Sequence, residues 1–431
     1  MTAKSAGAHG GKPVSKVAII GFGTVGRSVA KILCEHSPRQ LQLTHIYNRN
    51  IGQKRVPWVP NNVCWTDNID AVLASDVDLV VELIGGLKPA EEWIRRAIVA
   101  GKSVVTANKQ VIGHCGPELL HLARQHECQI RFEASVAGGI PVVSGLREGL
   151  AGDRLFRVSG ILNGTCNYIL TRMESAGLPF SVALEEAQSL GYAEADPSDD
   201  VDGFDARSKL AILASIGLRC RVRPLDIACK SIKVIEAVDF IYARRLGCAI
   251  RQISRAERKL PAGRTLFASV QPALVPSSSP LARVQGSQNL VMSTGEFGGE
   301  TVFSGYGAGG DPTAVAVISD LISLAENRQS PVTDSSVAEE PYEVVGEFNS
   351  PHYVRFTVED RPGIIAALAT VLANYQINID AVLQERGPDK SKLPFVMTLE
   401  ECNTSVLEGA LRDIEKLDFH VQPLVSLPML S

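Results

Sequence analysis

Short apolar runs alternate with helical patterns along residues 16–145. The apolar runs predict strands at Lys16–Ile20, Leu41–Tyr47, Asp78–Ile84, Ser103–Thr106 and Gln129–Glu133. The clearest helices between them are predicted at Ala90–Ala100 and Pro117–Glu127, the second with its proline in the first turn. Such alternation is typical of βαβ units, so we expect an α/β domain built on a doubly wound parallel sheet.

The rest of the chain divides at a polar segment rich in Pro and Ser, residues 327–350, which predicts a linker. Before it, helices are predicted near 181–190, 203–217 and 312–326 within an α+β region. After it, strands at 352–358, 377–386, 394–400 and 418–425 with helices at 363–374 and 405–416 predict a βαββαβ module. The predicted organisation is a disordered tail (1–15), a nucleotide-binding domain (16–145), a catalytic and dimerisation domain (146–326), the linker (327–350) and the C-terminal module (351–426).

Composition excludes several classes of partner. The 431 residues carry 43 Lys and Arg against 47 Asp and Glu, whereas nucleic acid or an anionic membrane demands a basic face. No uncharged apolar run reaches the ~18–20 residues that span a bilayer, and the first residues lack the apolar core of a signal peptide. The nine cysteines are scattered and form no CxxC, which favours reduced thiols in the cytoplasm over disulfides or a zinc site.

GFGTVG at 21–26 directly follows the first predicted strand and opens a helix. Gly21 permits a tight turn, Gly23 lets the backbone approach a pyrophosphate, and Gly26 allows close packing. The motif therefore predicts a Rossmann-type dinucleotide site, with a purely structural glycine turn as the alternative. Residues 36–66 contain no acid, and the cations Arg49, Lys54 and Arg55 follow the second strand. This pattern favours NADP(H) over NAD(H), unless the cations form only a solvated loop.

Six carboxylates lie within residues 194–205, ahead of Lys209. A calcium loop is excluded because aligning Gly203 with the invariant glycine places Lys209 where glutamate is required. A solvated acidic turn remains one interpretation. The other starts from Asp205 and Lys209, which are four residues apart and share a helix face, so they can relay a proton during hydride transfer. Glu194 or Asp200 would then bind an ammonium group of the substrate.

Three further strings carry candidate binding residues. TANK at 106–109 ends the fourth predicted strand, where Lys109 can reach a cofactor or substrate. ILNGTCNYIL at 161–170 places Asn163, Gly164 and Thr165 between apolar flanks, as a ligand loop would. GYGAGGDPTA at 305–314 is a second glycine-rich helix start. The last two strings are also compatible with simple tight turns.

Together these strings resemble the homoserine dehydrogenase family over residues 16–325. The matching pieces, in chain order, are GFGTVG, TANK, EASVAGGIP (133–141), ILNGTCNYIL, GYAEADPSDDVDGFDARSK (191–209) and GAGGDPTA (307–314). The resemblance implies NAD(P)-dependent interconversion of L-homoserine and L-aspartate 4-semialdehyde, in the synthesis of threonine, methionine and isoleucine. One departure is Asn50, which stands where an aspartate often follows the arginine, and it leaves a strict NADP preference open.

The resemblance also implies roles for individual residues. Lys209 would donate and accept the proton, with Asp205 and Lys109 beside the reacting groups. Substrate would contact Glu194, Asp200, Gly164 and Thr165. The cofactor would contact Gly21, Phe22, Gly23, Thr24, Val25, Gly26, Arg49, Lys54, Lys109 and Gly307. Glu133 and the backbone carbonyls of Val136, Gly138 and Ile140 would hold a sodium ion, which suits a hard cation.

The C-terminal module, with DRPG at 360–363 before a helix, resembles an ACT domain. In this family such a domain implies feedback inhibition by L-threonine, and the alternative is a module that only dimerises or stiffens the protein. No kinase-like segment precedes the nucleotide-binding part, so we expect the monofunctional form, as a homodimer or homotetramer.

Two other functions stay open at this point. The first is an aldehyde dehydrogenase with a cysteine nucleophile, for which Cys166 in NGTCNY is the candidate. The second is a non-catalytic amino-acid sensor, against which the complete set of Glu194, Asp205 and Lys209 argues.

Overall fold

The computed structural model describes residues 14–36, 40–258, 264–326, 342–385 and 390–430. The chain forms two compact units. Within the described ranges, one unit is formed by residues between 14 and 141 and between 308 and 326, and the other by residues between 142 and 307 and between 342 and 430. The chain therefore leaves the first unit after Pro141 and returns to it at Ala308.

The first unit is built on a sheet of six parallel strands, which confirms the predicted fold class. The strands are β1 (Ser15–Ile20), β2 (Leu41–Tyr47), β3 (Cys64–Thr66), β4 (Leu79–Glu82), β5 (Ser103–Thr106) and β6 (Ile130–Arg131). Their order is β3-β2-β1-β4-β5-β6, the order of dinucleotide-binding sheets. The chain reverses direction across the sheet between β1 and β4, and ligands bind at the carboxyl edge of such a point.

Five helices connect these strands: α1 (Thr24–Glu35), α2 (Ile51–Lys54), α3 (Ile69–Leu73), α4 (Ala90–Val99) and α5 (Lys109–Gln125). The prediction that a helix begins at Pro117 is wrong, because α5 begins eight residues earlier and Pro117 lies inside it. The Asn108 side chain caps the helix by accepting a hydrogen bond from the Val111 backbone at 3.2 Å. The TANK motif is therefore a helix start.

The predicted ends of this domain also shift. Ser15, assigned to the tail, is the first residue of β1 and is fully buried, whereas residues 1–13 lie outside the described ranges. The predicted strand Gln129–Glu133 shortens to β6, and Glu133 instead begins a 3-10 turn, Glu133–Ser135. β3 was not predicted, because three residues are too short for a periodic pattern.

The second unit contains a mixed sheet with helices. Its strands are β7 (Leu155–Ile161), β8 (Ala228–Cys229), β9 (Cys248–Arg258), β10 (Thr265–Pro276), β11 (Gln288–Gly295), β12 (Gly299–Tyr306) and β13 (Glu343–Val345). The order is β12-β11-β7-β9-β10-β13, with β8 also paired to β10. Its helices are α6 (Val142–Ser144), continued by a π-helical turn, α7 (Gly164–Ala176), α8 (Phe180–Ser189), α9 (Ser198–Val201), α10 (Phe204–Gly217) and α11 (Ala237–Arg245).

Helix α12 (Gly310–Glu326) belongs to the first unit, although the sequence placed it in the domain 146–326. Its buried residues Ala314, Val317 and Leu321 recur at helical spacing and join the core of α1 and the parallel sheet. An apolar helix face can be recognised from the sequence, but the core that receives it cannot.

The C-terminal module has the predicted βαββαβ order. It consists of β14 (Asn349–Val358), α13 (Ile364–Asn374), β15 (Ile379–Gln384), β16 (Leu393–Asn403), α14 (Thr404–Ile414) and β17 (Val425–Pro428), in an antiparallel sheet ordered β15-β16-β14-β17. The last strand was predicted at 418–425 and lies later. The predicted linker is partly wrong, since β13 pairs with β10 and β14 begins at Asn349, while residues 327–341 lie outside the described ranges.

One face of this antiparallel sheet is part of the core of the second unit. Tyr353, Val396 and Leu427 pack in one cluster with Cys166 and Val201. A buried polar group joins the same surfaces, because the Tyr353 hydroxyl donates to Asp239 Oδ1 at 2.6 Å. The module is therefore packed into the unit that carries α7 and α9.

No described helix combines the length and the apolar character needed to cross a bilayer.

Candidate active site

The glycine-rich turn has the geometry that the motif requires. Gly21 has φ +107°, and a Cβ there would lie 2.8 Å from the Leu83 carbonyl carbon. A Cβ at Gly26 would overlap the Gly21 carbonyl oxygen. Both positions therefore exclude a side chain, and α1 begins at Thr24 with Gly23 exposed before it.

The side chains of the motif divide into buried and accessible ones. Phe22 is fully buried in the core of the first unit, where its ring meets Trp65 at 4.8 Å between centroids. Val25 packs against the same core. Gly23 and Thr24 are exposed at the helix start, so the accessible part of the motif is the Gly23 backbone together with Thr24. Backbone N–H groups at a helix N-terminus bind anions.

A second helix start lies beside the first. Helix α12 begins at Gly310, where a Cβ would be 2.9 Å from Ser28 Oγ and 3.0 Å from Thr24 Cγ2. Ser28 Oγ donates a hydrogen bond of 2.6 Å to Asp311 Oδ1. The N-termini of α1 and α12 thus converge within the first unit, and both dipoles favour negative charge there.

The cations predicted to select the cofactor follow β2. Arg49 is exposed, and Lys54 is partly exposed at the end of the short helix α2. The Asn48 side chain organises this turn by accepting a hydrogen bond from the Asn50 backbone at 2.9 Å. Lys109, also partly exposed, is the first residue of α5 at the carboxyl end of β5.

In the second unit, Lys209 is held between two acceptors. Its Nζ lies 2.7 Å from Asp205 Oδ2 and 2.9 Å from the Leu162 carbonyl oxygen. The side chains of Lys209 and Asp205 are only 14% and 8% exposed. Both residues lie on α10, one turn apart, as the sequence predicted.

Asn163 joins this pair to a second carboxylate. Its Nδ2 donates to Asp200 Oδ1 at 2.6 Å and to Asp205 Oδ2 at 2.9 Å. Its Oδ1 accepts from the Cys166 backbone at 2.8 Å and so caps α7. Asn163 was noticed in the sequence as a small polar residue, but its bridging position was not predicted.

Asn289 was missed altogether. Its Nδ2 donates at 2.9 Å to the same Leu162 carbonyl that accepts from Lys209. Gly307, predicted to touch the cofactor, lies against Asn289, where a Cβ would overlap the amide. Gly164 likewise lies against the Ser287 carbonyl, since a Cβ there would be 2.5 Å from that oxygen. No sequence motif marks Asn289, because it comes from a distant strand.

Two predicted substrate residues lie at or against the start of the acidic segment, residues 191–209. Glu194 is exposed, and Gln188 Nε2 fixes its backbone by donating to its carbonyl at 3.0 Å. Thr165 Oγ1 donates to the Tyr192 carbonyl at 2.6 Å, which ties the start of α7 to the same segment.

The predicted sodium ligands lie in the turn after β6. Glu133 is 5% exposed, and its backbone N–H donates to Asp320 Oδ2 at 2.9 Å. Ala137 and Gly138 both have left-handed φ angles, 55° and 47°, so the loop that carries the three carbonyls is neither helix nor strand. A buried carboxylate beside irregular backbone offers oxygen donors that fit a hard cation.

Cys166 does not have the character of a nucleophile. It is fully buried, and its Sγ lies 3.1 Å from the Asp200 carbonyl oxygen. Burial, together with the nearby Asp200 and Asp205, raises the pKa of the Cys166 thiol well above its usual range. Because the thiolate is the reactive species, this environment disfavours the aldehyde dehydrogenase alternative.

Comparison with known proteins shows which family the chain resembles over most of its length. Family models described as "Homoserine dehydrogenase, NAD binding domain", "Homoserine dehydrogenase" and "ACT domain" match residues 21–133, 141–322 and 352–419. The homoserine dehydrogenase of Mycobacterium bovis is 42% identical over 391 residues, 88% of each chain. The chain belongs to the homoserine dehydrogenase family. It is therefore an oxidoreductase with a C-terminal ACT domain.

Solved structures of homoserine dehydrogenases share the fold. That of Thiobacillus denitrificans is 32% identical with a TM-score of 0.89, covering 97% of this chain and 99% of its own. A hyperthermophilic archaeal homoserine dehydrogenase, determined in complex with NADPH, is 29% identical with a TM-score of 0.61 and covers 72% of this chain and 97% of its own.

Proposed function

We propose that the protein interconverts L-homoserine and L-aspartate 4-semialdehyde with NADP(H) as its preferred cofactor, in the synthesis of threonine, methionine and isoleucine. The observation that supports the proposed reaction most directly is the position of Lys209. Its Nζ lies within 2.9 Å of both Asp205 Oδ2 and the Leu162 carbonyl oxygen.

This position suits both protonation states of the amine. A neutral amine has two N–H groups, which satisfy Asp205 and the Leu162 carbonyl and leave the lone pair for the substrate hydroxyl proton. During homoserine oxidation Lys209 accepts that proton, and during reduction its ammonium group returns a proton to the aldehyde oxygen. Asp205 and the Leu162 carbonyl orient Nζ through two of its three bonding directions, and the third can face the substrate. The arrangement is therefore suited to general acid–base catalysis.

The excess of carboxylates around Lys209 supports a role in substrate binding. Asp200 and Asp205 both accept hydrogen bonds from the Asn163 amide, so two carboxylates lie close to the Lys209 amine. An α-ammonium group of homoserine would be attracted to Asp200 and to the exposed Glu194. Gly164 and Thr165, at the start of α7, would contact the rest of the substrate.

The first unit supplies groups that fit a dinucleotide. The backbone from Gly21 to Gly26, including Thr24, would bind the pyrophosphate, and Arg49 with Lys54 would bind a 2′-phosphate. Lys109 would contact the nicotinamide end. When bound, the nicotinamide ring supplies the hydride acceptor or donor. The NADPH complex of the archaeal relative supports this choice of cofactor.

Replacing Arg49 with Asp tests the cofactor preference. We expect the ratio of kcat/KM for NADPH to that for NADH to fall by about 10- to 100-fold, because a charge-assisted phosphate contact becomes a repulsion. Steady-state kinetics with each cofactor measure the ratio. Arg96→Asp, on α4 where Arg96 pairs with Asp70, is the matched control and should leave the ratio unchanged. An unchanged ratio in Arg49→Asp would exclude the phosphate contact.

The same proposal covers the ion, the effector and the assembly. Glu133 with the carbonyls of Val136, Gly138 and Ile140 would hold sodium. The ACT domain would bind L-threonine and inhibit the enzyme, and the chain would form a dimer or tetramer.

The experiment that tests the function is a steady-state assay of homoserine oxidation by the purified chain. We expect homoserine-dependent formation of NADPH from NADP⁺, at a higher rate than the formation of NADH from NAD⁺. The rate should be lower in potassium salts than in sodium salts. It should also fall when L-threonine is added. Absence of homoserine-dependent reduction of either cofactor would overturn the proposal.

A further inference from the structure

Glu82, the last residue of β4, is fully buried at the carboxyl edge of the parallel sheet. We propose that Glu82, acting through Thr106, is a positioning residue that fixes the Gly85–Gly86 turn and the start of the Lys109 helix for the nicotinamide end of the cofactor. This inference rests on the proposed function, because it assumes that a dinucleotide binds along this edge.

Three donors converge on the Glu82 carboxylate. The backbone N–H groups of Ile84 and Gly85 donate to Oε1 at 2.9 and 3.3 Å. The Thr106 hydroxyl donates to Oε2 at 2.6 Å from the neighbouring strand β5. A single buried side chain thus fixes the backbone that leaves β4 and connects it to the end of β5.

Thr106 extends the connection to Lys109. Its Oγ1 accepts a hydrogen bond of 3.0 Å from the Asn108 backbone, so its one hydrogen is directed to Glu82. Asn108 in turn caps α5, whose first residue is Lys109, and its Nδ2 donates to the Gly86 carbonyl at 2.7 Å. The network is therefore closed, because it begins at Glu82 and returns to the turn that Glu82 holds.

An acidic residue is unusual at the position of Glu82. β4 is buried on both faces, where apolar residues are expected, and Glu82 follows three of them. Burial raises the pKa of the Glu82 carboxyl, and the hydrogen bonds from Thr106, Ile84 and Gly85 oppose that shift. A buried polar group is costly when its partners are lost, so the network is sensitive to removal of a single hydroxyl.

The location decides which half of the cofactor is affected. The glycine-rich turn and Arg49 follow β1 and β2, on one side of the reversal in strand order. Glu82 and Thr106 end β4 and β5, on the other side. Because a dinucleotide lies across that reversal, the network is expected at its nicotinamide half and not at its adenosine half.

The test compares Thr106→Val, which keeps the shape but removes the hydroxyl, with Thr106→Ser, which keeps the hydroxyl. Thr44→Val, which removes a hydroxyl bonded to the Val17 carbonyl at 3.3 Å, is the matched control in strand β2. Binding of NADPH and of 2′,5′-ADP, which lacks the nicotinamide, is measured by fluorescence titration and by competition, alongside kcat and both KM values.

For Thr106→Val we expect kcat to fall by about 10- to 100-fold, since small displacements of positioned groups cost this much. The Kd for NADPH should rise while that for 2′,5′-ADP stays within twofold, and Thr106→Ser and Thr44→Val should behave as the wild type. Glu82→Gln is a second variant, to be used if Thr106→Val does not fold. It should show the same weaker binding of NADPH with unchanged binding of 2′,5′-ADP.

The inference would be overturned by an equal fall in kcat in Thr106→Ser and Thr106→Val. It would also be overturned if Thr106→Val weakened the binding of NADPH and of 2′,5′-ADP equally, or if Thr106→Val and Glu82→Gln both left binding and kcat unchanged. Failure of the proposed function is recognised separately, because the wild type would then show no homoserine-dependent reduction of NADP⁺.

Discussion

Replacing Lys209 with Met is expected to lower kcat for homoserine oxidation by about 10²–10⁴-fold, the usual contribution of a positioned acid–base group. The KM for homoserine should change little, because the proposed ammonium contacts come from Asp200 and Glu194. Steady-state kinetics in both directions measure the effect. Methionine preserves the apolar stem of the lysine, so the change isolates the amine.

The matched control is Lys233→Met. Lys233 also pairs with an aspartate in the second unit, Asp202 at 3.0 Å, but its side chain is 47% exposed. We expect it to retain nearly full kcat. A variant of Lys209 that raised KM while keeping kcat would instead make this lysine a binding residue.

Replacing Arg355 with Met is expected to lower the free energy of unfolding by about 3–5 kcal/mol, because it leaves a buried charge without its partner. The Arg355 side chain is 4% exposed and the Asp239 side chain is completely buried, with Nε and Oδ1 3.0 Å apart. Arg355 also contacts Glu236 at 2.9 Å and donates to the Val234 carbonyl at 3.0 Å. Burial raises the pKa of Asp239, and the nearby guanidinium opposes that shift.

Urea unfolding followed by far-ultraviolet circular dichroism measures the change. Lys416→Met removes an exposed partner of Asp413 in the same ACT domain and should cost less than about 1 kcal/mol. The double variant Arg355→Met/Asp239→Leu should recover part of the loss, since no uncompensated charge remains. Equal destabilisation by Arg355→Met and Lys416→Met would show that the buried pair has no special importance.

Much of the fold follows from local sequence patterns. The alternation of strands and helices predicted the parallel sheet, and the four-residue spacing predicted that Asp205 and Lys209 share a face, which their 2.7 Å contact confirms. These features depend only on the period of a helix or strand. The roles of Lys209 and the other site residues stay predictions.

Other features depend on contacts between distant segments. Asn289 meets the Leu162 carbonyl from another strand, and α12 returns to the first unit after a long excursion. Glu82 ends an apolar run and has no motif around it. In each case the sequence shows a residue type or an apolar face, whereas its partner is decided by sheet order.

The pairing of Arg355 with Asp239 limits how this ACT domain can be exchanged. A domain from another protein that brings an uncharged or acidic residue to the position of Arg355 would leave Asp239 buried without this cation. A functional chimaera therefore needs both sides of the buried contact from one parent. For the same reason, a natural change at either position is expected to persist only when it is accompanied by a change at the other.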